Sequence, residues 1–123
     1  MSKKVFISQI MRNEKPENIV LIRENIKKEF LNSFGDSFEF IDSYNPELKH
    51  KGLAEALSFS LAKLNDADIV LCPDSVHLAE PSFNNVSGCV IELSTSLKMK
   101  KTVIRYIVYA TKEVYFTSFE RKR

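Results

Sequence analysis

The sequence predicts an α/β fold: one domain with a doubly wound, mainly parallel sheet of four to five strands and helices on both faces. Three observations carry this expectation. Short apolar runs alternate with longer stretches whose apolar residues recur at helical spacing. Each early apolar run ends in polar turn formers, such as Asp42-Ser43 and Pro73-Asp74. The 123 residues suffice for one core, which covers residues 1–123 as a single unit.

Lys4-Val5-Phe6-Ile7-Ser8 is the first apolar run and reads as a buried strand. From Pro16, a residue tolerated in a first helical turn, Ile19, Ile22, Ile26 and Phe30 mark an amphipathic helix over about residues 16 to 32. Gly35-Asp36 breaks the chain, and Phe38-Glu39-Phe40-Ile41 is a second strand. Leu53, Leu57, Leu61 and Leu64 set a second helix over about 52 to 65, and Ala67 to Cys72 a third strand. A loop of about a dozen residues follows, long enough for a ligand lid. Cys89, Leu93 and Leu97 place a third helix, and Thr102 to Val108 a fourth strand. Glu113-Val114-Tyr115-Phe116 is either a fifth strand or an arm packed on a partner. The pattern is Rossmann- or flavodoxin-like, with right-handed crossovers. In such sheets ligands collect beyond the carboxyl ends of the strands, so loops 8–15, 42–51 and 73–88 are the ones to examine.

Composition narrows the function. With 44% hydrophobic and 28% charged residues the chain is expected to be globular and cytoplasmic, with neither a membrane span nor a signal peptide. A net charge of +2 does not argue for a nucleic acid polymer as partner. Cys72 and Cys89 are expected as buried free thiols; with His77 they lack zinc spacing, so no metal site is expected. The glycines stand at 35, 52 and 88, so neither GxGxxG nor GxxxxGK[ST] can be written. That disfavours ordinary NAD-dependent oxidoreductases and nucleoside triphosphatases, and no cofactor is expected.

The loops offer a different chemistry. Ser8 and Gln9 either hydrogen-bond a sugar or base, or satisfy the turn backbone; Arg12 either clasps a phosphate or is solvated. Asp74 is either a turn residue or an acid facing a ligand. Glu92 falls within roughly the first turn of the third helix, where free amides and the helix dipole favour a carboxylate. It either stabilises that terminus or faces a ligand, which Gly88 would let approach the backbone closely. A carboxylate so placed suits an oxocarbenium-like glycosyl transition state, and it can also attack to form a glycosyl ester. Asp74 is the candidate second acid, assisting the departing base.

The segment Lys4-Val5-Phe6-Ile7-Ser8-Gln9-Ile10-Met11-Arg12, with Arg23-Glu24 in the next helix, resembles the start KIFISQPMRG of small bacterial and phage proteins of the nucleoside 2-deoxyribosyltransferase-like superfamily. Leu64 to Val70 is similar to that superfamily's x-x-AD-x-V strand, and Gly88-Cys89-Val90-Ile91-Glu92 to its Gly-Cys-x-x-Glu helix start. The resemblance implies that Glu92 is the nucleophile and that Ser8, Gln9 and Arg12 line a nucleotide pocket. Asn85, Ser87, Gly88 and Cys89 then complete the candidate substrate contacts, with Asp74 on the base side. It further implies cofactor-free transfer of 2-deoxyribose between bases, or hydrolysis of deoxynucleoside monophosphates, by a homodimer or larger homo-oligomer. Tyr106, Tyr109, Tyr115, Phe116 and Phe119 would either form that contact or pack within the monomer.

Departures from the pattern define the alternative. Ile10 and Asn13 replace a proline and a glycine, Ser94 and Ser96 replace small residues, and Ser87 stands where transferases often carry an acid. A protein that binds a nucleotide or nucleotide signal without turning it over is the second expectation.

Overall fold

The computed structural model describes residues 2–10, 14–42, 44, 53–74 and 87–119. The elements are β1 (Lys3–Ile7), α1 (Pro16–Phe34), β2 (Phe38–Ile41), α2 (Leu53–Asn65), β3 (Ile69–Pro73), α3 (Ser87–Lys98), β4 (Thr102–Val108) and β5 (Val114–Phe119). They form one five-stranded sheet in the order β2-β1-β3-β4-β5. The first four strands pair in parallel, while β5 lies antiparallel on β4. The sheet is therefore mixed. The reason is chain length: a short turn joins β4 to β5, and a parallel strand would need a crossover of a dozen or more residues.

That turn closes with the Tyr109 amide donating to the Glu113 carbonyl at 2.9 Å and the Lys112 amide to the Tyr109 carbonyl at 2.8 Å. Lys112 adopts φ 74°, a left-handed conformation held by this turn. The last apolar segment is thus a strand of the same chain.

Successive strand residues point to opposite faces, and both faces are buried. Val5, Ile7, Ile69, Leu71, Ile104 and Tyr106 pack with Ile22, Ile26 and Phe30 of α1. Phe6, Val70, Cys72 and Val103 pack on the other side with Leu64 of α2 and with Cys89 and Leu93 of α3. Phe30, fully buried, has the rings of Phe38, Phe40 and Phe116 edge-on at 4.8, 5.9 and 5.8 Å. Edge-on rings of this kind add roughly 0.5–1.5 kcal/mol per pair beyond area burial.

Boundaries move slightly from the expected ones. α1 runs to Phe34 and stops at Gly35, whose φ of 99° suits glycine and whose amide donates to the Leu31 carbonyl at 3.0 Å. β3 begins at Ile69, because the Ala67 amide still bonds the Leu64 carbonyl in the turn ending α2. In α3, Ser96 rather than Leu97 continues the buried stripe; Leu97 is exposed. Among the described residues, no helix is long and apolar enough to cross a membrane.

Candidate functional site

The helices present more than hydrophobes to the sheet. In α3, Cys89, Glu92, Leu93 and Ser96 follow the spacing i, i+3, i+4, i+7, which puts one carboxylate on the buried stripe. Arg23 falls between Ile19 and Ile26 on the stripe of α1 in the same way. Both side chains are buried, Glu92 at 8% and Arg23 at 4% exposure.

Glu92 lies beyond the first turn of α3, which holds no acidic residue. The expected role for helix-terminus amides is thereby corrected. Its carboxylate meets hydroxyls instead: Ser8 Oγ donates to Glu92 Oε1 at 2.6 Å, and Ser60 of α2 also hydrogen-bonds it. Burial pushes the Glu92 carboxyl from the ordinary 4.5 up to about 7, opposed by the Ser8 hydroxyl, the Ser60 hydroxyl and the charge of Arg23. Near neutral pH the group divides between acid and carboxylate. It can therefore supply either a proton or a nucleophilic oxygen.

Ser8 follows β1 directly and faces the α3 side, as the strand alternation requires. Gln9 turns the other way. Its Nε2 donates to the Ile19 carbonyl at 3.0 Å, and its Oε1 accepts from Arg23 Nη1 at 2.8 Å, so the amide ties α1 to the end of β1. The Tyr106 hydroxyl donates to the Ser8 carbonyl at 2.5 Å. Cys89 sits beside Glu92, its thiol pushed up to about 12 by burial and by the neighbouring carboxylate, against the Ser8 hydroxyl. Both cysteines are free and buried.

Asp74 occupies a different environment. Its amide donates to the Tyr106 carbonyl at 2.7 Å, and its Oδ1 accepts from the Thr117 hydroxyl at 3.2 Å. It helps line a cavity of about 590 Å³ at the carboxyl ends of β1, β3 and β4, together with Gln9, Ile22, Tyr106, Tyr109 and Lys112. Glu92 and Ser8 are not among its lining residues.

The structure thus groups Ser8, Cys89 and Glu92 on one face of the sheet edge, and Gln9 and Asp74 around the cavity. Gly88 is in the first turn of α3; a Cβ there would meet only Leu57 Cδ2, at an ordinary 3.9 Å. Ser87 opens the same helix, and its side chain lies outside the described residues, as do Arg12 and Asn85. Arg23 and Tyr106 are named from the sequence without a place in the site, and Ser60 is missed. For Arg23 and Ser60 the signal was present, since each shares the helical register of buried apolar neighbours. Tyr106 stood in a strand that was legible, but nothing marked its hydroxyl as the partner of Ser8.

No family model matches the chain, and no curated protein matches it either.

Proposed function

We propose that this protein acts on a deoxynucleoside or deoxynucleoside monophosphate as an N-glycosidase or 2-deoxyribosyltransferase, with Glu92 as the nucleophile. One observation carries the reading: a buried carboxyl, titrating near neutrality and held by the Ser8 hydroxyl, beside the carboxyl end of a parallel strand. The strand order with its three helices is compatible with a Rossmann- or flavodoxin-like sheet, where ligands gather at that edge.

In this mechanism ionised Glu92 attacks the anomeric carbon as the glycosidic bond to the base breaks. The bond's electron pair leaves with the base, which takes up a proton, in the proposed assignment from Asp74. Water or a second base then attacks the glycosyl ester and gives its proton to Asp74, which restores both acids and releases sugar or a new nucleoside. Ser8 orients the carboxylate, and Gly88 and Cys89 flank the sugar. Gln9, Arg12, Asn85 and Ser87 are the other proposed contacts, and no cofactor takes part. The exposed Tyr109 and Tyr115, whose rings lie 4.9 Å apart, are the proposed contact of a homo-oligomer.

The test is release of free base from a panel of deoxynucleosides and their monophosphates. Turnover by the wild type and its loss in Glu92→Gln is the expected result. Equal turnover in that variant removes the mechanism.

A second reading is favoured by the separation of Asp74, in the cavity, from Glu92 outside it. A nucleotide-binding protein without turnover needs the cavity but not a convergence of the two acids. Calorimetry with intact ligand recovered afterwards supports this reading, and failure to bind any nucleotide counts against both.

A further inference from the structure

Two buried groups of opposite charge approach the end of β1 from opposite faces of the sheet. Glu92 comes from α3 and Arg23 from α1, and the segment Ser8-Gln9 lies between them. The Ser8 hydroxyl donates to Glu92, and the adjacent Gln9 amide accepts from Arg23. The peptide joining them is held by the Tyr106 hydroxyl on the Ser8 carbonyl and by the Gln9 amide on the Ile19 carbonyl.

We infer that Arg23 is a positioning residue for Glu92: through Gln9 it fixes the end of β1 that carries the Ser8 hydroxyl, and its charge balances the carboxylate across the sheet edge. Tying α1 to a strand would not by itself require a cation. Burying a guanidinium costs free energy that a neutral side chain would not, and the carboxylates of Asp42 and Glu92, which both favour its charge, offset that cost.

The surroundings of Glu92 make that charge count. Cys89 lies beside it on its own helix, Cys72 of β3 lies on the same face, and the Tyr106 hydroxyl reaches the Ser8 carbonyl from the α1 side; burial pushes all three upward, so they remain neutral near pH 7. Ser60 of α2 carries no charge. Arg23 is a charge that lowers the Glu92 carboxyl, and the guanidinium is itself favoured by Tyr106 and Asp42 ahead of Glu92, with Tyr44 after them. An arginine stays protonated throughout this range despite its burial. The inference bears on the proposed function, because a nucleophilic glutamate must be ionised and aimed, yet it is tested without substrate.

The experiment is a carbon-detected NMR titration of the full chain labelled in its glutamate carboxyls, with the Glu92 signal assigned from Glu92→Gln. Arg23→Met keeps the stem and removes the charge; Arg23→Gln removes the charge but can still hydrogen-bond Gln9. Both are expected to raise the Glu92 midpoint by about half a pH unit or more, and Arg23→Lys to return it close to the wild-type value. An unchanged midpoint in either folded neutral variant overturns the inference. Should neither neutral variant fold, Gln9→Met, which cuts the link from Arg23 to the end of β1, serves instead, and an unchanged Glu92 midpoint in that folded variant overturns the inference. Absence of base release by the wild type, with the midpoint shift present, refutes the glycosidase reading and leaves the positioning role standing.

Discussion

The hydroxyl of Ser8 lies 2.6 Å from the carboxylate of Glu92 although 84 positions separate them in the chain. The contact forms because a strand end and the buried stripe of a helix meet at one edge of the sheet. A hydroxyl donor there favours the ionised acid, while exclusion from water disfavours it more strongly.

That balance has a stability consequence. The Glu92 carboxyl titrates near 4.5 when the chain is unfolded and near 7 when folded. Below pH 4.5 both states hold the proton, and the fold carries no penalty from this group. As pH rises from 4.5 to 7 the unfolded chain gives up its proton first, so the contribution to stability falls. Above 7 it is flat, and the total loss is about 3 kcal/mol. Glu92→Gln should remove this fall while keeping an oxygen for the Ser8 hydroxyl. Urea unfolding of both proteins at about pH 4 and about pH 8 measures it, the variant gaining about 3 kcal/mol on the wild type over that interval. Parallel pH profiles would show that the carboxyl is solvated.

The two thiols should be chemically silent in the folded protein. Cys72 is fully buried and Cys89 nearly so, and burial pushes the Cys89 thiol to about 12 and that of Cys72 higher still. Thiolate is the reacting species, so at about pH 8 almost none is available until the chain opens and an ordinary value near 8.5 returns. A disulfide reagent should therefore label both cysteines together, at a rate that rises with urea. Immediate labelling of one thiol in the absence of urea contradicts the packing of α3 on β3.

Much of this architecture was legible because it rests on periodicity. Ile19, Ile22, Ile26 and Phe30 do lie on the buried face of α1, and the strand at 102 to 108 lies where its apolar run placed it. The direction of β5 was not legible from its composition, since strand propensity is the same in either orientation; the short connection decides it. The site was harder to read. Apolar spacing draws attention to hydrophobes, so the burial of Arg23, notable in the sequence only for a family likeness, and the place of Ser60 go unread, because polar residues are expected outside. Glu92 stands apart in the sequence, but not its surroundings: it lies beyond the helix-terminus amides, and its environment is set by burial and by Ser8, which only the fold brings near.

Gly88 offers a separation of packing from ligand access. It stands in the first turn of α3, and a methyl group there would make one ordinary contact, 3.9 Å from Leu57 Cδ2. Nothing in that contact requires glycine. Alanine also favours the helical state over glycine by up to about 1 kcal/mol, so Gly88→Ala should leave the melting temperature unchanged or raise it. If a nucleotide approaches the backbone at this turn, the same methyl group intrudes on it. Affinity measured by calorimetry should then drop about tenfold, or about 1.4 kcal/mol, in a variant as stable as the wild type. Undiminished binding would move the ligand away from the start of α3. A loss of stability greater than about 1 kcal/mol would instead mean that α2 and α3 pack more tightly around position 88 than the Leu57 contact indicates.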